Sequence, residues 1–214
     1  MDKIGFLFDL DGVLIDSERE YTKIWNEIEK EYPTGIENFA YKIKGQTLGK
    51  ILSDNYPDPE IREKVTVRLH VLEKKMRYRY CEGAENLLER INEKGGKIAV
   101  VTSSDEVKMA HLHSDLPSFR NKVGVIIDAS KVHKSKPDPE GYLLGAKKLG
   151  ADIAKSVVFE DSVQGVRAGN ASSAYVVGIT GTKSRDELLP YSDIVIDSLL
   201  EINLEELIDL LKNR

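Results

Sequence analysis

The stretch Phe6-Leu7-Phe8-Asp9-Leu10-Asp11-Gly12 decides how the rest of the chain is read. An apolar run stops at two carboxylates spaced two apart, and a glycine follows. In strand geometry, Asp9 and Asp11 share one face. Gly12 permits the sharp turn that brings the chain off the strand. In an open α/β sheet, ligands bind beyond the carboxyl ends of the strands, so this is where chemistry is expected.

Working outward, five more short runs resemble the first: Lys97–Thr102, Val123–Ala129, Ser156–Glu160, Tyr175–Ile179 and Asp193–Ile196, with Ile4–Leu10 as the first of the set. They are rich in Val, Ile and Phe, and several lack polar alternation, as strands buried on both faces do. Amphipathic helices separate them. Ala84, Leu87, Leu88 and Ile91 follow helical spacing, with Gly95 as terminator. Asp138 is placed to cap a helix with Pro139 at its first position. Tyr142, Leu143, Ala146 and Leu149 form that helix's apolar face, and Gly150 ends it. Leu204, Leu207, Ile208 and Leu211 mark a last helix after Asn203. The expected fold class is α/β, a Rossmann-like, doubly wound parallel sheet.

Residues 16–80 break the alternation, because no strand is legible there. Ser17 and Glu20 fit a capping box ahead of an apolar face of Tyr21, Ile24, Trp25 and Ile28. Ile61–Tyr80 also reads as helix, with Pro57 and Pro59 between helices. The expected organisation is a core formed by 1–15 and 81–214, with 16–80 as an inserted helical cap domain. Both are reasonable domain sizes.

Composition excludes several classes. The 214 residues are 41% hydrophobic and 31% charged, which argues against disorder. A net charge of −5 disfavours general binding to nucleic acid or anionic membranes. Cys81 is the only cysteine, so no internal disulfide forms. No apolar run is long enough for a membrane span. A cytoplasmic protein, monomeric or a weak homodimer, is expected.

Three further segments, at strand ends or in the loops after them, carry polar groups. Thr102-Ser103-Ser104 offers hydroxyls and N–H groups suited to a phosphate. Lys136 precedes a Pro-Asp-Pro turn. Glu160-Asp161 adds two acids, and oxygen-rich clusters suit Mg²⁺. Taken singly, each has a plainer reading as a solvated turn, a helix cap or an exposed lysine. Together they supply a nucleophile, an acid/base, a hydroxyl, a cation and metal ligands at one end of one sheet.

Other motifs fail. An EF-hand-type loop needs an oxygen ligand and a glycine where Val13 and Leu14 stand. The Gly-Thr-Lys-Ser at 181–184 lacks the glycine that a Walker A lysine requires before it. His111 and His113 diverge on a helix, with no nearby cysteine to complete a zinc site.

The four motifs, in this order, resemble the haloacid dehalogenase-like hydrolase superfamily over essentially the whole chain. Phe8-Asp9-Leu10-Asp11-Gly12-Val13-Leu14-Ile15-Asp16-Ser17-Glu18 is the most specific part. It looks like the subgroup with a helical cap after the first motif, which includes phosphoglycolate and sugar-phosphate phosphatases and β-phosphoglucomutases. The resemblance implies that Asp9 attacks phosphorus and that Asp11 serves as acid, then base. It also implies that Thr102 and the Ser103 N–H bind the phosphoryl group and that Lys136 offsets its charge. Mg²⁺ would be held by Asp9, the Asp11 carbonyl and Asp161, with Glu160 as an additional or water-mediated ligand.

The expected function is therefore Mg²⁺-dependent hydrolysis of a small phosphorylated metabolite. Asp11 argues against dehalogenation. A β-phosphoglucomutase-type isomerase and a non-catalytic binding module are the alternatives. The loop Lys44-Gly45-Gln46-Thr47-Leu48 resembles the mutase substrate loop, and Gly45 is a candidate substrate contact. Leu48 stands where the mutase has arginine, and Tyr21 where it has histidine. The basic run Lys74-Lys75-Met76-Arg77-Tyr78-Arg79 reads as a solvated helix face.

Overall fold

A computed structural model describes residues 3–214. In chain order the elements begin with β1 (Gly5–Phe8), α1 (Glu18–Glu31), α2 (Phe39–Lys42), α3 (Leu48–Asn55) and α4 (Pro59–Glu73). They continue with α5 (Ala84–Glu93), β2 (Lys97–Val101), α6 (Glu106–Asp115), α7 (Ser118–Lys122), β3 (Val125–Ile127) and α8 (Glu140–Leu149). The last are β4 (Val157–Glu160), α9 (Val163–Ala171), β5 (Tyr175–Ile179), α10 (Arg185–Leu188), β6 (Ile194–Ile196) and α11 (Leu204–Lys212). Every strand lies inside a run read as strand from the sequence.

The strands form one parallel sheet in the order β3-β2-β1-β4-β5-β6. This is a doubly wound Rossmann-like α/β fold. From β1 the order runs outward one way through β2 and β3, and the other way through β4 to β6. The topological switch point therefore lies between β1 and β4, where such folds bind ligands. The Asp9 N–H donates to the Phe159 carbonyl at 2.9 Å, tying the end of β1 to β4 at that point.

Alternating side chains explain why β1 is apolar throughout. Phe6 and Phe8 pack in a cluster with Leu87, Leu88 and Ile91 of α5 and with the apolar stripe of α11. Leu7 packs on the opposite face with Tyr142 and Ala146 of α8 and Val166 of α9. The Phe8 and Phe159 rings stack at 4.5 Å between centroids, fully buried beneath the site.

The chain between β1 and α5 contributes only helices and loops. Its two ends run antiparallel. Asp16 N–H donates to Arg79 O at 2.9 Å and Cys81 N–H to Leu14 O at 2.9 Å, around an Ile15–Tyr80 bridge. The apolar residues of this insert, including Ile24, Trp25, Ile28 and Leu69, join the Phe6 side of the core.

Local readings need correction in five places. Ser17 makes no side-chain cap to α1, and Glu20 pairs with Lys23, so no capping box forms there. Asp138 accepts from Glu140 N–H while Pro139 flanks the helix, one residue later than the spacing predicts. Leu143 is exposed rather than part of the buried face. Pro59 lies within the first turn of α4 rather than between helices. The segment read as helix to Tyr80 stops at Glu73; Met76 and Tyr78 are then buried in alternation with exposed Lys75, Arg77 and Arg79. That period of two marks extended chain.

Phe8→Ala removes half of the stacked pair under the site and opens a cavity in the buried core. It is expected to cost about 3–5 kcal/mol of unfolding free energy. Urea denaturation followed by circular dichroism measures this, and a loss below about 1 kcal/mol would contradict the packing described.

Candidate active site

β1 ends at Phe8, so Asp9 and Asp11 occupy the loop beyond it rather than one strand face. They diverge in their partners yet line the same cleft. Asp9 is buried and pairs with the ammonium of Lys136. Lys136 Nζ also donates to Glu160 Oε1 at 2.5 Å and to the Val101 carbonyl at 3.0 Å. Lys136 follows the turn after β3, Val101 ends β2 and Glu160 ends β4. One ammonium thus ties together the ends of β1, β2 and β4.

Glu160 is fully buried and saturated. Oε1 accepts from Lys136 and from the Tyr142 hydroxyl at 2.7 Å. Oε2 accepts from the N–H groups of Asp161 and Ser162 and from the Ser162 hydroxyl. Gly165 approaches so closely that any Cβ there would strike the Glu160 carboxylate. Asp161 is buried beside it. Asp9, Glu160 and Asp161 each offer an oxygen within 4.8 Å of the others.

Two of these buried carboxylates, Asp9 and Glu160, share one ammonium, and the third, Asp161, lies beside them. Burial pushes the Asp9 carboxyl up to about 8, with repulsion from Glu160 and Asp11 adding to it and Lys136 opposing. Burial alone would lower the Lys136 pKa, but Asp9 and Glu160 outweigh it and hold the ammonium charged. A hard divalent cation with oxygen preference fits this donor set. The turn at Gly12 leaves room as well: it has φ +77°, and a Cβ there would collide with the Asp161 carboxylate.

Asp11 sits in a separate nest of donors. Both its oxygens lie 2.5 Å from Lys108 Nζ; Ser104 Oγ donates at 3.0 Å, and Ser17 Oγ also bonds it. Burial raises its pKa, but Lys108 and the two hydroxyls prevail and hold the carboxyl below its ordinary value. This explains why Ser17 abandons the capping role.

The loop after β2 is built by short-range bonds. Thr102 Oγ1 accepts from Ser104 N–H at 3.0 Å, and Asp105 caps α6 through Lys108 N–H at 2.9 Å. Thr102 and Ser103 border a small cavity with Lys136 and Thr47. Ser103 also borders the main cleft, of about 820 Å³ including its open mouth, which Asp9, Asp11 and Asp161 line from the core side. Gly45 closes on the core from the insert. Its carbonyl accepts from Ser103 Oγ at 3.4 Å, and a Cβ there would meet Ser162 Oγ at 2.7 Å.

Lys108 and Glu73 were not singled out by sequence reasoning, whereas Ser17 was read as a helix cap and Ser104 as part of a phosphate loop; both instead bond Asp11. Lys108 did carry one signal: a lysine in the first turn of a helix opposes the helix dipole and calls for a nearby anion. Asp11 is that anion.

The family model described as haloacid dehalogenase-like hydrolase matches residues 6–179. The chain belongs to this family. Hexitol phosphatase A of Escherichia coli is 29% identical over 204 residues, covering 92% of each chain. A probable pseudouridine-5'-phosphatase of Saccharomyces cerevisiae is 32% identical over 191 residues, covering 81% of this chain and 80% of that one. A putative β-phosphoglucomutase from Bacteroides vulgatus shares the fold with a TM-score of 0.82 at 24% identity, covering all of this chain and 91% of its own.

Replacing the shared cation exposes the charge imbalance. Lys136→Met leaves Asp9 and Glu160 buried without an ammonium and is expected to destabilise the fold by about 3–5 kcal/mol at neutral pH. Denaturant midpoints of the two proteins check this, and an unchanged midpoint would contradict the arrangement.

Proposed function

We propose that this hydrolase transfers the phosphoryl group of a small phosphorylated metabolite first to Asp9 and then to water. The chain is a phosphomonoester hydrolase. The observation that carries the two-step reading is the pairing of Asp9, at the sheet's switch point, with Lys136, while Asp11 faces the same cleft in its own nest. Phosphoryl transfer asks mainly for positioning and charge compensation, and this is what the buried cluster provides.

In the first step an Asp9 oxygen attacks phosphorus and the leaving oxygen departs with a proton from Asp11. In the second, water attacks the aspartyl-phosphate and Asp11 takes its proton. The donors around Asp11 favour its ionised form, which suits the second step. Serving as acid requires that it first exchange Lys108 for a proton. Lys136 holds its charge between Asp9 and Glu160, where it offsets negative charge as the phosphoryl group arrives. Thr102 and the Ser103 N–H are assigned to the phosphoryl oxygens. Thr102 Oγ1 can donate while still accepting from Ser104.

We assign Mg²⁺ to Asp9, Asp161 and the Asp11 carbonyl. The five donors already on Glu160 support an indirect, orienting role for it. The ion supplies charge neutralisation that lets an anionic nucleophile meet an anionic ester. Residues 16–80 act as the cap domain over the core, bringing Gly45 to the substrate. No described helix is long and apolar enough to cross a membrane. The isomerase alternative lacks the matching residues. Leu48 lines the cleft where a mutase has arginine, and Tyr21 donates its hydroxyl to Glu73.

Purified protein with Mg²⁺ is expected to release phosphate from p-nitrophenyl phosphate and from members of a metabolite panel. Asp9→Asn should lower this by at least about a thousandfold, since it removes the nucleophile. Retained turnover in Asp9→Asn would refute the assignment. Mg²⁺ at a hundred times its Kd should stabilise the wild-type fold by about 2.7 kcal/mol. Asp161→Asn should shrink that gain, as read by thermal denaturation with and without EDTA.

A further inference from the structure

Glu73, the last residue of α4, is 4% exposed, and its position is not one the reaction at Asp9 requires. Oε1 accepts the Tyr21 hydroxyl at 2.5 Å, while Oε2 is buried with no hydrogen-bond partner among the described residues. A buried carboxylate oxygen without a donor is costly, so such a group calls for a ligand. Burial pushes its carboxyl up, with the Tyr21 bond and Lys108 opposing. Lys108 does not supply the missing donor: its ammonium is spent on Asp11 and lies 4.0 Å over the Tyr21 ring.

Glu73 lines the same cleft as Asp9 and Asp11, from the insert's side. A leaving group that extends from a phosphate at Asp9 across this cleft to the insert meets Glu73. Trp25 and Leu69 flank that end with apolar surface, suited to the C–H face of a sugar or polyol. An ionised carboxylate accepts hydrogen bonds from hydroxyls and repels a second phosphate or a carboxylate.

We infer that Glu73 is a specificity-determining residue that accepts a hydrogen bond from a leaving-group hydroxyl, selecting neutral sugar or polyol monophosphates over phosphoesters bearing a second anion. This rests on the phosphatase reading above, and the test separates the two. Initial rates are measured on sorbitol 6-phosphate, 2-phosphoglycolate and p-nitrophenyl phosphate. Wild type is expected to favour sorbitol 6-phosphate over 2-phosphoglycolate. Glu73→Gln should reduce that kcat/KM ratio at least tenfold, mainly through KM for the polyol ester, as loss of a charged acceptor predicts.

If wild type hydrolyses none of the three, the phosphatase reading fails and this inference falls with it. If wild type hydrolyses p-nitrophenyl phosphate but prefers 2-phosphoglycolate, only the role of Glu73 is overturned. A cooperatively unfolding Glu73→Gln whose ratio moves less than twofold overturns it equally. Should Glu73→Gln not fold, Glu73→Asp decides. It keeps the charge but withdraws it by one carbon, so KM for sorbitol 6-phosphate should rise while 2-phosphoglycolate stays disfavoured. An unchanged KM would contradict the role.

Discussion

One ammonium between buried carboxylates organises this protein. Lys136 bridges Asp9 and Glu160 and also donates to the end of β2. Burying charge is tolerated only where pairing and hydrogen bonds compensate. Asp161 adds a third buried carboxylate beside that pair. Clustered carboxylate oxygens of this kind suit a hard cation. The rest of the core exists to hold these side chains still: the Phe8–Phe159 stack below, Tyr142 on Glu160, and the backbone tie from Asp9 to β4.

The two aspartates are handled oppositely, though they stand two residues apart. Asp9 is drawn to Lys136 within the cluster, and burial raises its pKa. Asp11 is drawn to Lys108 and two serine hydroxyls, and its pKa falls. Adjacent carboxylates pushed apart in this way take different chemical roles. The divergence arises because β1 ends at Phe8. Asp11 then lies in the loop, where Lys108 of α6, Ser104 and Ser17 before α1 reach it.

The sheet was legible from sequence because its strands are buried on both faces and so read as unbroken apolar runs. The four motifs could be read together because each lies at a strand end or in the loop after one, and the fold brings Asp9, Lys136, Glu160 and Asp161 to one place. Lys108 and Glu73 were harder to see. Their partners, Asp11 and Tyr21, lie 97 and 52 residues away, and no local periodicity encodes such pairs. The stop of α4 at Glu73 had a visible signal in the alternation of Met76, Arg77, Tyr78 and Arg79. The surrounding lysines and arginines masked it with helix-favouring composition. Ser17 shows the reverse error: a good capping pattern yielded to a stronger demand from Asp11.

The central claim is that Asp9 carries the phosphoryl group. Wild-type protein with Mg²⁺ is mixed with substrate, quenched in acid within one turnover and reduced with borohydride, which converts an aspartyl-phosphate to homoserine. Peptide mass spectrometry should then find homoserine at position 9 and at no other acidic residue. Phosphate release in the same quench with position 9 unmodified, or with the label at Asp11, would contradict the account.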